Sequence, residues 1–180
     1  HSCGVKTPEH WGVHSFHVGK RSKVRNVERH YGEGDGRGEN IMNPTTVVEM
    51  DEDSYMEMET PQIKGVDPTA RTTNAKLGDR ATLIIKEKVM THGKQLAKSD
   101  FTVDLDGEDC HTNVISRSVA REDSKQVFLA RINGNNRCYG HSECDAIIMD
   151  HGVVAAIPEV TANCVDASLV HEAAIGKIAG

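Results

Sequence analysis

The residues able to bind a soft metal or a sulfur species crowd into the last third of the chain. Between Arg137 and Lys177 stand Cys138, His141, Cys144, Cys164, His171 and Glu172, with three of the five cysteines and three of the ten histidines. Thiolate, imidazole and carboxylate are the ligand set of zinc, iron and iron–sulfur sites. The decisive question is whether Cys144 and the His171-Glu172 pair meet in space, and sequence separation alone does not answer it.

Cys138-x-x-His141-x-x-Cys144 invites a local zinc site. On a continuous strand, however, Cys138 and Cys144 share one face while His141 points to the other. Gly140 would have to break the strand for the three to converge. Alternation likewise splits His171 from Glu172, one toward the interior or a partner and the other outward. The bland alternatives are that Cys110, Cys144 and Cys164 fill a core as small apolar side chains, and that His171-Glu172 is a solvated edge. Cys3 sits in a segment too short to place. Serine-hydrolase and zinc-protease chemistry fall away, because the chain has neither Gly-x-Ser-x-Gly nor His-Glu-x-x-His.

The elements that must position these residues are strands. A chain of 180 residues suits one domain with a substantial core, here 1–180. His14–Val18 and Lys23–Glu28 alternate apolar and polar residues on either side of Gly19-Lys-Arg-Ser22, the pattern of half-buried strands joined by a tight turn. The same phrase returns at Met50–Met56, Leu77–Leu83, Leu105–His111 and Ile132–Cys138. Its leading apolar residues, Val18, Met50, Leu77, Leu105 and Ile132, are 32, 27, 28 and 27 positions apart. A near-constant period in β-type sequence predicts a stacked solenoid with two strands of about five to eight residues per coil. An antiparallel meander would give similar spacing, but most junctions lack crisp two-residue hairpin turns. The expected fold is all-β, a flattened parallel β-helix.

The longer first gap carries Gly32-Glu-Gly-Asp-Gly-Arg-Gly38, which reads as an inserted surface loop. No strand–loop–helix context or Gly-Lys-Ser/Thr ending supports a phosphate loop. The net charge of -6 gives no electrostatic reason to expect nucleic acid or an anionic membrane. No apolar run approaches the roughly 18–20 residues of a membrane span, and no secretory signal opens the chain. Free thiols in a reducing cytoplasm are therefore expected. The start without Met and the stop at Gly180 read as a core fragment of a longer protein.

Glu143-Cys-Asp-Ala-Ile-Ile-Met149, Ile157-Pro-Glu-Val160 and Val170-His-Glu-Ala-Ala-Ile-Gly-Lys-Ile178 resemble the C-terminal core signature of the SufB/SufD family, and Met56–Gly65 and Leu77-Gly-Asp-Arg-Ala81 are similar to its middle. That family comprises scaffold subunits of a cytosolic iron–sulfur cluster assembly machine. The resemblance, of an archaeal or minimal-system type, implies a right-handed parallel β-helix core that pairs with itself or a paralogue. It also implies a transient iron–sulfur cluster at the pair's interface and no enzymatic activity of its own. It assigns cluster or metal binding to Cys144 and Glu172, as in SufB, and to His171, as in SufD. A chain carrying both partners' ligands suits a homodimer.

The resemblance further implies a SufC-type ABC ATPase as partner, docking on a C-terminal region beyond Gly180. SufB proteins carry a sulfur-accepting cysteine at the region of Thr60-Pro61-Gln62, and this chain has none there. That departure counts against a relay from a sulfur donor through the solenoid. The sequence leaves open whether Cys138 and Cys164 take part. The competing classes are a β-helix enzyme acting on polysaccharides and a plain β-solenoid interaction module. Carbohydrate grooves are usually lined by aromatic side chains, and aromatics make up only 4% of this chain, with Trp11 the single tryptophan.

Overall fold

The computed structural model describes residues 5–6, 12–28, 43–63 and 69–179. These residues form strands and turns, with no helix among them. The strands are β1 (Val5–Lys6), β2 (Val13–Val18), β3 (Lys23–Glu28), β4 (Thr45–Met50), β5 (Tyr55–Ile63), β6 (Thr69–Leu77) and β7 (Thr82–Thr91). They continue as β8 (Leu96–Leu105), β9 (Cys110–Ala120), β10 (Lys125–Gly134), β11 (Cys138–Met149), β12 (Val153–Ala162) and β13 (Ala167–Ile178). From β2 onward the even strands stack in one parallel sheet and the odd strands in the other. Only the short β1 joins antiparallel, against β2. This is the expected β-solenoid and not a meander. The glycine-rich stretch at 32–38, Cys3 and Trp11 lie outside the described residues.

Each coil repeats the last at an offset set by strand pairing. Val13 pairs with Thr45, Thr45 with Thr72, Thr69 with Ala97, Leu96 with Lys125 and Lys125 with Val153, so the period runs 32, 27, 28, 29 and 28. Val18, Met50, Leu77 and Leu105 form one inward ladder, as the repeat predicted. Its fifth rung is Gly134 and not Ile132, because Leu105 pairs with Gly134. The apolar echo at Ile132 belongs to the neighbouring ladder, opposite Val103. Strands in the later coils also run to 10–12 residues, longer than the repeat suggested.

One corner of the solenoid carries a non-glycine residue in the left-handed region in four successive coils, at Arg21, Asp53, Arg80 and Asp109. Each such residue is intrinsically unfavourable, and stacking offsets it. The amides of Asp53, Arg80 and Asp109 donate to the carbonyls of Asp79, Glu108 and Arg137 one coil on. Arg80 grips Asp53, and Arg137 grips Asp109, each with Nε at 2.7 Å from a carboxylate oxygen. Gly107 passes so close to the coil beneath that a Cβ there would lie 2.0 Å from a backbone atom of Gly78. Only glycine fits that crossing.

The interior is aliphatic through the middle coils, with Met56, Leu77, Leu83, Ile85, Val103 and Leu105 almost fully buried. It is interrupted by Arg71 and Glu87. Their side chains are 8% and 1% exposed and meet at 3.1 Å. Ser99 bridges them, accepting from Arg71 Nη2 and donating to Glu87, while Ser116 donates to the other Glu87 oxygen. Removing one member of a buried pair strands the other charge. Glu87→Ala is therefore expected to cost about 3–5 kcal/mol in denaturant unfolding. Arg71→Met with Glu87→Leu should recover most of that loss. A loss under 1 kcal/mol for the single change would show that the pair is hydrated.

Candidate functional site

The final two coils place the chemistry-bearing residues by strand alternation alone. β11 is unbroken through Gly140, so Cys138, Gly140, Ser142, Cys144 and Ala146 point inward. Tyr139, His141, Glu143 and Asp145 point outward, and no local Cys138/His141/Cys144 zinc site forms. On β13 the register sets Ser142 beside His171, Glu143 beside Glu172 and Cys144 beside Ala173. His171 therefore shares the inner face with Cys144, while Glu172 lies on the outer face. The adjacent pair splits as alternation requires.

The inner cluster closes a ladder that begins apolar and ends polar. Met58, Ile85 and Val114 lead to Ser142 and His171. The adjacent ladder runs from Thr60 through Glu87 and Ser116 to Cys144. Ser142 Oγ and His171 Nδ1 share a hydrogen bond at 2.7 Å. Strand spacing and rise put the Cα atoms of Cys144 and His171 about 8 Å apart, one strand across and two residues along. Burial holds the His171 imidazole below its ordinary range, with the neighbouring His141 adding to the effect and Glu172 opposing it. Burial also pushes the Cys144 thiol up to about 11, helped by the charges of Glu87 and Asp145. The inner wall thus offers a neutral imidazole and a protonated thiol, both soft-metal ligands once the thiol yields its proton.

The other thiols form a separate group. Cys110 and Cys138 are ladder neighbours and both buried, and Cys164 lies half-buried in the turn before β13. Burial, reinforced by Cys138, pushes the Cys110 thiol up to about 12. Thr60, in the region where a SufB-type mid-core cysteine would stand, is a buried threonine over Glu87.

The outer face holds a cluster that pattern reading missed. His141, Glu143 and Glu172 each bring a ligand atom within 4.8 Å of the others. His141 Nε2 lies 3.4 Å from Glu172 Oε2, and its Nδ1 lies 3.2 Å from Asn113 Oδ1. Glu143 is held above the usual carboxylate range by a hydrogen bond with Asp145, by burial and by the carboxyl of Glu172. The signal was present in the register: residues 141 and 143 share a face, and a 29-residue offset brings 172 beside 143. Farther along this face runs an apolar groove of about 700 Å³, lined among others by Met90, Val119, Ile147 and Gly176 and by no aromatic side chain.

The chain matches the family model for the SufBD core domain of the SUF system of iron–sulfur cluster assembly over residues 2–180. The chain belongs to the SufBD family. Named relatives agree. An iron–sulfur cluster assembly SufBD family protein of Methanocaldococcus jannaschii is 29% identical over 89% of this chain and 51% of its own length. One from Archaeoglobus fulgidus is 28% identical over 94% of the chain and 45% of its own. One from Methanothermobacter thermautotrophicus is 24% identical over 97% and 42%. The SufBD chain thus spans about half the length of the curated relatives it matches.

Two expectations follow for the SufBD core. Burial keeps the Cys144 thiol protonated well above the ordinary thiol range. Among the cysteines of the described residues, alkylation mapped by mass spectrometry should mark Cys164 first and reach Cys110, Cys138 and Cys144 only on unfolding or at strongly alkaline pH. Labelling of Cys144 as fast as Cys164 would contradict this burial. In an NMR titration, His171 should lose its proton below the ordinary histidine midpoint near ~6.5. The unfolded chain then takes up that proton first as pH falls, so this residue's contribution to stability is present above that midpoint and is lost on acidification. A midpoint at or above the ordinary value would reverse the sign.

Proposed function

We propose that this chain is the core of a scaffold on which an iron–sulfur cluster is assembled, with the cluster as transient cargo at the last coil. The observation that carries the reading is the position of Cys144 and His171 on the same inner wall of the final two coils, one strand across and two residues along. β12 and β13 are the outermost strands of their sheets. Among the described residues Val160 is 45% exposed and Ile175 44%, although both lie on inward-facing ladders. In this reading a second copy or a paralogue pairs with the core near these coils and brings a second set of ligands.

The chemistry suits a cargo that must leave. One thiolate, one imidazole and the carboxylate of Glu172, reached around the edge of β13, make a coordination sphere with fewer than four thiolates and hence a labile one. In this reading the chain is not itself an enzyme. It works in the cytoplasm with a SufC-type ABC ATPase, whose docking belongs to regions outside these 180 residues. The absence of a cysteine near Pro61 favours sulfur arriving as sulfide or from outside the solenoid. A carbohydrate-active enzyme is disfavoured by the groove on the outer face, whose lining holds Lys88, Arg117 and Asp145 among aliphatic side chains but none of the aromatic platforms a sugar needs.

The test is anaerobic reconstitution with ferrous iron and sulfide, on the longest available form of the protein. Wild type should develop a sulfide-to-iron charge-transfer band. Cys144→Ser should abolish it with the circular dichroism of the strands unchanged, and His171→Ala should weaken it. Equal bands in wild type and Cys144→Ser would assign the iron to other thiols and sink the reading. Light scattering should give a mass of at least two chains for the loaded form, and a mass of one chain would remove the paired interface.

A further inference from the structure

We propose that His141, Glu143 and Glu172 form a divalent-cation site on the outer face of the final two coils, which needs no thiol and shares only Glu172 with the ligand set proposed for the cluster. Three observations lead there. The ligand atoms lie within 4.8 Å of one another, close to the roughly 3–4.2 Å that separates ligands around a first-row ion with bonds near 2.1 Å. Small rotations of half-exposed side chains close the difference.

The second observation is the orientation of the imidazole. His141 Nδ1 lies 3.2 Å from Asn113 Oδ1, and its Nε2 lies 3.4 Å from Glu172 Oε2. A ring held through one nitrogen by a side-chain oxygen, with the other nitrogen turned toward a carboxylate, has the arrangement that orients metal-binding histidines. The His141 side chain is only 15% exposed, so this orientation is held by packing as well as by Asn113.

The third observation is the charge around the cluster. Asp145 follows Glu143 on the same face, and its cross-strand partner is Arg117, which itself faces Lys88. These two basic residues lie along the ladder of Asp145. Lys86 reaches the ladder of Glu143 only across Ile115. The position between Glu143 and Glu172 therefore has two carboxylates side by side on paired strands. Like charges directly opposite one another destabilise a sheet, and a cation held between these two carboxylates would offset that.

One imidazole and two carboxylates suit ferrous, manganous, cobaltous or zinc ions with open positions left for water. Naming ferrous iron as the natural occupant rests on the assembly reading, in which iron would wait here before sulfide arrives; the site itself does not depend on that reading.

The experiment uses the intact chain, free of iron and sulfide, titrated with Co²⁺ and followed by its visible ligand-field bands and by calorimetry. Wild type and Cys144→Ser should bind one Co²⁺ alike, without thiolate-to-cobalt charge transfer. Glu143→Gln and His141→Ala should each weaken binding about tenfold or more. Glu172→Gln should do the same; Glu172 is exposed and Glu143 half-buried on the outer face, so neither isosteric change disturbs the core. If His141→Ala unfolds the strands, His141→Asn serves in its place. No binding to wild type, equal binding by the outer-face variants, or loss in Cys144→Ser would each overturn the site. Failed cluster reconstitution with Co²⁺ binding intact would remove the assembly reading alone.

Discussion

Every property of this molecule depends on parallel, in-register stacking of one coil upon the next. Backbone hydrogen bonds run along the solenoid axis, so a residue's neighbours lie 26–29 positions away once the first coil is passed. That constraint turns sequence into ladders. A ladder that is aliphatic throughout contributes a column of core, and a ladder that changes chemistry partway marks where the column stops serving only stability. It also sets the corners. A left-handed non-glycine residue is tolerable at Arg80 or Asp109 because the coils beside it take up its amide and grip its side chain. In a repeat architecture such nearest-neighbour terms carry most of the cooperativity.

The fold was legible because the strongest ladder is apolar. Val18, Met50, Leu77 and Leu105 announce the period without any knowledge of pairing. The reading slipped at the next rung, where the ladder residue is Gly134 and the nearest apolar residue belongs to the adjacent ladder. Glycine there is a packing necessity, since a Cβ would meet that of Ala167 at 2.7 Å. A side chain chosen for its smallness leaves no hydrophobic signal, so a repeat traced by apolar residues loses register where the interior is tightest.

The candidate site was legible only in part, for a related reason. Alternation sufficed to separate Cys144 from His141 and His171 from Glu172, because the period of two within a strand is local. Which residue stands beside which is a matter of register between strands, and register is a long-range quantity. The neighbouring of Ser142 with His171, and of Glu143 with Glu172, needs the 29-residue offset of the last coil. The depth of Cys144 agrees with the core-filling alternative: its side chain is completely buried, while the neighbouring Asp145 points out.

The polar turn that one inner ladder takes at Ser142 and His171 has an energetic consequence. In the middle coils its rungs are Ile85 and Val114, which bury aliphatic surface worth about 1.5–3 kcal/mol per side chain. Ser142 and His171 forgo that gain, and the hydrogen bond between them satisfies the polar groups brought inside. The adjacent ladder is polar from Thr60 through Glu87 and Ser116, and at Cys144 it gains a thiol, a soft-metal ligand. Among the described residues, the final two coils trade aliphatic burial for groups able to bind a metal, so function and stability are not optimised independently there.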